Sequence, residues 1–314
     1  MTDVKMRAVY PLVQRAGLDT AALTLVGFAI GCSGIARYRS DVNSASAAFA
    51  ANPEFSIWSA VVGFEIALRL ILFKALWTVR AELRARVGLG CFWAAFVAML
   101  IVAGMFGMAQ HIYPVDDSDL NGDFRRRVIL QATMLLTISP GLVSIWRIRS
   151  WVVRAGSHCA LQQLEPLPAG ALISDVLYMS RTLQKITVLI SAVVVVSILD
   201  VAAFRVAYMA HTPTSKAFPL GLVILYGLLL TVVLSFLYLP AYVSFNDYKR
   251  RLRDALCPIP AASVPDEAWH ATRDRTERLI QLPRGLWESV RSNYAILAPL
   301  IASVLSLFLP GIKF

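Results

Sequence analysis

Three charges set in otherwise apolar sequence invite a chemical reading first. Glu65 and Arg69 are spaced i, i+4, so they share one face of a helix. Asp200 stands in a second apolar stretch. At 1.5 Å per residue, Glu65 and Asp200 each fall about 15 Å from the same side of a bilayer, with Arg69 one turn deeper. An isolated charge at membrane depth costs at least about 2.5–3.5 kcal/mol, so Glu65, Arg69 and Asp200 are expected to form one cluster. That cluster is either a salt bridge fixing helix packing or part of a proton or ion pathway. Lys74 and Arg205 lie near the ends of their stretches and can snorkel to the interface. Helix breakers come next. Ser139-Pro140-Gly141 is expected to interrupt the middle of another apolar stretch, and Pro240 and Pro299 fall in two more. Proline removes a backbone donor and frees a carbonyl, a break tolerated at membrane depth when buried in protein or lining a cavity. Lys249, Arg250, Arg251 and Arg253 follow the sixth apolar stretch directly, as a stop-transfer anchor or an anionic-lipid contact does.

Two short segments resemble known sites. Asp117-Ser-Asp119-Leu-Asn121-Gly122-Asp123-Phe124 is similar to the first eight positions of an EF-hand calcium loop. The resemblance implies weak calcium binding through Asp117, Asp119, Asn121 and the Asp123 carbonyl, with Gly122 making the sharp turn. Val128 stands where that loop carries its bidentate glutamate, and Arg125 to Arg127 offer the aspartates a competing set of partners. Gly31-Cys32-Ser33-Gly34 resembles the G-x-S-G nucleophile motif of rhomboid proteases, with His111 and His211 as the histidines on the same side. Neither histidine has the glycine-rich setting of that family. His158, Cys159, Cys257 and His270 share the other side but match no zinc spacing. There is no CxxC, so the four cysteines are expected to be reduced.

The elements that must position these residues follow from composition. Of 314 residues, 57% are hydrophobic and only 16% charged, and the mean hydropathy is +0.62. A soluble domain carries about 25% charge. The excess apolar sequence is gathered into stretches of bilayer-crossing length, which excludes a soluble enzyme, a nucleic-acid-binding domain and a disulfide-stapled module. Spans are expected near 20–36, 55–77, 87–109, 128–146, 186–210, 220–245 and 294–312; the third has 23 residues without a charge. Each must be helical, because hydrocarbon offers no water to a bare backbone. The fold class is therefore all-α, one polytopic membrane domain of about seven helices.

Placing the N-terminus in the cytoplasm puts 21 Lys and Arg inside and eight outside, with Arg69 buried, so the C-terminus is expected outside. The first stretch is read as a retained helix. Segments 147–185 and 246–293 become the long cytoplasmic loops. In the first, Ser174 is expected to cap an amphipathic helix leading into the fifth span. In the second, a helix is expected to start near Pro265 with Asp266 and Glu267 in its first turn. Six lysines against 24 arginines point to a GC-rich bacterial genome, hence the inner membrane. The net charge of +10 fits lipid contact rather than nucleic acid. The expected function is a channel, transport or signal-transmitting component. The alternative is an anchor or sensor subunit docking a soluble partner through its cytoplasmic loops, and an intramembrane hydrolase is more remote. Expected partners are membrane lipids, a soluble cytoplasmic protein and a second copy of the chain; no cofactor beyond calcium is expected.

Overall fold

The structure is a computed structural model that describes residues 20–22, 24–29, 49–86, 123–161, 169–211, 220–259, 265–282 and 294–306. Among these there is no strand. Four long helices build the body: α1 (Pro53–Arg86), α2 (Asp123–Leu161), α3 (Ala169–His211) and α4 (Leu220–Leu256). A short α5 (Glu267–Leu279) follows, then a 3₁₀ turn at Tyr294–Ile296 and α6 (Ala298–Leu305). Three described helices are long and apolar enough to cross a membrane: Pro53–Leu83, Gly170–Ala210 and Gly221–Leu256. They coincide with the expected second, fifth and sixth spans. The expected fourth span lies within α2, which is helical throughout. The third span lies outside the described residues, as does the second half of the first, whose first half is the apolar helix Thr20–Ala29. In the seventh, the described part breaks at Leu297 between the 3₁₀ turn and α6.

Side-chain contacts fix the helix directions. Trp58 meets Asp200 and Glu82 meets Tyr178, so α1 and α3 are antiparallel. Arg69 meets Thr133, and Leu76 lies against Gly141, so α1 and α2 are parallel. Lys249 reaches Ser180, while Tyr226 lies within electrostatic reach of Asp200, which sets α4 antiparallel to α3. Close approach is made possible by small residues. A Cβ on Gly27 would sit 2.5 Å from the Ala67 Cα, and one on Gly141 would press on Ile190 and Leu76 at 2.9 and 3.0 Å. A Cβ on Gly227 would fall on Ser303 of α6.

One outward face of α4 is apolar over much of its length. On α4, Leu228, Val232, Phe236, Leu239 and Val243 are all exposed. They recur at i, i+4, i+8, i+11 and i+15, a stripe about 22 Å long on one face. The exposed positions then become Asp247, Arg250, Arg251 and Asp254. A surface of this kind suits lipid along the stripe and headgroups beyond it.

Three local expectations are corrected. Ser139, Pro140 and Gly141 do not interrupt α2, which is continuous through them. The carbonyl that Pro140 leaves without its amide partner is that of Leu136, and Ser139 Oγ donates to it at 2.9 Å. Gly141 is a packing position instead. Pro240 likewise lies inside a continuous α4. Pro299 sits in the first turn of α6, where its missing N–H costs nothing, so it starts a helix rather than kinking one. Ser174 is not a cap, because α3 already begins at Ala169. Much of segment 147–185 is thus helix, because propagation costs little once a helix leaves the apolar stretch. The α5 start does follow the expected pattern. Asp266 caps it, its carboxylate accepting from the Trp269 N–H at 2.8 Å.

Candidate functional site

Glu65, Arg69 and Asp200 come together in the interior of the bundle. Glu65 is fully buried, Arg69 is 5% exposed and Asp200 is 7% exposed. The i, i+4 spacing on α1 lets the Arg69 guanidinium close directly onto the Glu65 carboxylate. Arg69 also donates from Nη1 to Thr133 Oγ1 of α2 and from Nη2 to Ser197 Oγ of α3, the latter at 3.0 Å. One guanidinium therefore ties three helices, using the planar set of donors that suits Arg to such a place. Asp200 lies one turn beyond Ser197 on α3. It accepts a hydrogen bond from Trp58 Nε1 of α1 at 3.0 Å.

The two buried carboxyl groups are near enough to influence each other. Glu65 Oε2 is buried, and no donor among the described residues reaches it. The cluster thus holds two carboxyls and one guanidinium. Toward the Pro53 end it is covered by aromatic rings: Trp58 stacks obliquely on Phe204 at 5.0 Å, and Phe49 meets Phe55 edge-on at 5.3 Å. Phe49 is fully buried and Phe55 nearly so. Those rings form an apolar lid on that side of the charges.

Sequence inspection named the three charges but not Trp58, Thr133, Ser197 or Tyr226. A signal for them existed. Trp58 precedes Glu65 by two turns on the same face, and Ser197 precedes Asp200 by one. Polar groups repeating at helical spacing inside an apolar run mark the interior face.

The basic segment after the sixth span divides. Arg250 and Arg251 are exposed, as an anchor requires. Arg253 instead turns to Glu277 of α5, Nη1 to Oε1 at 2.9 Å, and to Asp254. Lys249 is buried at 3% exposure inside the bundle. The calcium-like loop, Asp117 to Gly122, and the G-x-S-G segment with His111 lie outside the described residues, as do the side chains of Asp123 and His211. Cys257 is buried, with Sγ 3.4 Å from Thr276 Oγ1. His270 is exposed beside Trp269. No group of three or more metal-ligating side chains occurs among the described residues. Comparison with protein-family models, with curated proteins and with solved structures returns no match.

Proposed function

We propose that this is a multi-pass protein of a bacterial inner membrane, a channel, transport or signal-transmitting component whose working element is a proton held between Glu65 and Asp200. The observation that carries the reading is the pair of buried carboxyls, close enough to influence each other, beside a single guanidinium. With both carboxyls ionised the cluster has a net charge of −1. With one proton it is neutral, and Glu65 Oε2 gains the donor it otherwise lacks. Unbalanced charge at membrane depth is expensive, so taking up and releasing that proton is a natural trigger for helix movement.

The helix directions support the span count. Parallel α1 and α2 agree with one further crossing between them, and the sequence of the 87–109 stretch has the length and apolarity for it. The excess of Lys and Arg favours the cytoplasmic side for the Arg86 and Leu256 ends. The outward apolar stripes meet lipid, and Gly27 faces α1 so closely that it serves packing within one copy before it serves association between copies. One observation favours the anchor or sensor reading: α5 turns Thr276 inward while Asp274, Arg275 and Arg278 remain exposed, a solvated face within reach of a soluble partner.

The test is proton movement into vesicles containing the purified protein and a trapped pH dye, driven by a potassium diffusion potential. Wild type and Lys74→Gln are expected to move protons, and Glu65→Gln and Asp200→Asn are expected to fail. Equal rates in all four proteins would overturn the reading.

A further inference from the structure

A second buried charge lies far along α3 and α4 from the cluster. Lys249 points inward at the C-terminal end of α4. Its ammonium donates to Ser180 Oγ of α3 at 3.3 Å and to the Gln281 carbonyl, just past α5, at 3.2 Å. It also sits over the Phe245 ring, 5.0 Å from the centroid. No carboxylate pairs with it among the described residues. A buried ammonium held only by neutral groups is an incomplete site, because burying a charge is costly unless it meets an opposite one.

The space beside it has the matching shape. A cavity of about 270 Å³ opens at Lys249 and is lined by Ser180, Gln184, Tyr238, Tyr242, Asn246 and Gln281 among others. None of its lining residues is acidic. Tyr242 lines the cavity, and its hydroxyl is buried with no partner among the described residues. Tyr238 and Tyr242 stack at 5.6 Å, giving the cavity an apolar wall beside its donors. Gln281 has φ 54°, a left-handed conformation that costs a side-chain-bearing residue about 1–2 kcal/mol. It closes α5 in a Schellman turn, its N–H bonding to the Arg278 carbonyl and that of Leu282 to the Glu277 carbonyl. Glycine is the usual residue there; here it is glutamine, whose backbone carbonyl faces Lys249. Strain of this kind gathers at binding sites.

Depth identifies the ligand class. The exposed stripe of α4 changes from apolar at Val243 to charged at Asp247, so Lys249 lies at headgroup level. We propose that this cavity binds a phosphate-bearing anion, with the Lys249 ammonium as its counter-ion, the Tyr242 hydroxyl as a second donor and the tyrosine rings against its organic part. The shared chemistry is a phosphate oxyanion, whose source is either an anionic phospholipid headgroup or free phosphate. The inference is independent of the Glu65–Asp200 proton.

The experiment measures the melting temperature of the full chain in neutral detergent. Short-chain phosphatidylglycerol, short-chain phosphatidylcholine and inorganic phosphate are titrated separately. Phosphatidylglycerol or inorganic phosphate is expected to raise the midpoint saturably, and the one that does so identifies the source. Lys249→Met keeps the apolar stem and removes the ammonium; it is expected to weaken the apparent affinity roughly tenfold or more, as loss of a charge-assisted contact does. Arg275→Gln, on the solvated face of α5, is expected to leave it unchanged. Tyr242→Phe, which keeps the stacked ring, is expected to weaken it severalfold and provides the decision if Lys249→Met does not fold. No saturable shift with phosphatidylglycerol or phosphate would overturn the proposal. So would an equal shift with phosphatidylcholine, or an unchanged affinity in both Lys249→Met and Tyr242→Phe.

Discussion

Removing the arginine from the charge cluster is the most severe single change the structure identifies. In Arg69→Met the side chain keeps its bulk along α1 but loses the guanidinium. Thr133 and Ser197 lose an incoming donor, a small matter, because Ser197 still bonds the Val193 carbonyl at 3.0 Å. Glu65 is different. It is fully buried and keeps no compensating charge. Removing one partner of a buried ion pair costs about 3–5 kcal/mol. An exposed substitution on the same helix, Lys74→Gln, is expected to stay within about 0.5 kcal/mol. The double variant Arg69→Met with Glu65→Met removes the stranded charge and should recover at least about 2 kcal/mol, a coupling of the size expected for residues in contact. The assay is reversible unfolding in mixed detergent–dodecyl sulfate micelles, followed by tryptophan fluorescence. The reasoning is refuted if Arg69→Met matches Lys74→Gln, or if the double variant loses the sum of its two single losses.

Three further outcomes follow from particular contacts. Trp58→Phe keeps an aromatic ring against Phe204 but removes the donor to Asp200, and the same unfolding assay should show a loss of about 1.5–3 kcal/mol, typical of a hydrogen bond to a charged group. Gly227→Ala drives a methyl into Ser303 and toward the Pro299 carbonyl, so it should cost about 1–3 kcal/mol by overpacking and expose the α6 contact to protease, whereas Gly170→Ala, which meets open space, should be harmless or mildly stabilising. A reporter fused after Phe314 should be active only as an external reporter; activity of a cytoplasmic reporter at that position would mean that the span count is off by one.

The fold class was legible in the sequence because hydrocarbon leaves a chain little choice: apolar runs of bilayer length must be helices. Their ends were not legible. Periodicity marks where helices are buried, but α2 and α3 run well past their apolar stretches through sequence that reads equally well as loop. The effect of Pro140 was misjudged for a related reason. A proline frees one carbonyl without having to end the helix, and at Pro140 the Ser139 hydroxyl reaches the freed carbonyl. The Glu65–Arg69–Asp200 cluster could be anticipated because charges in lipid have to find each other. Helical spacing puts Trp58 and Ser197 on the interior faces of their own helices, but which groups meet depends on the register between helices, which no single stretch contains. Lys249 shows the limit most clearly. Among four neighbouring basic residues, the composition of the run says anchor, and only the helix phase reveals that one of them points inward.

The central claim is that Glu65 and Asp200 share a proton. Infrared difference spectroscopy of the protein in lipid, with hydrogen–deuterium exchange, reads a protonated carboxyl directly through its carbonyl band. The account predicts one such band near neutral pH that shifts in deuterium oxide and disappears in Asp200→Asn or Glu65→Gln. A spectrum showing both groups ionised across the whole accessible pH range would contradict it.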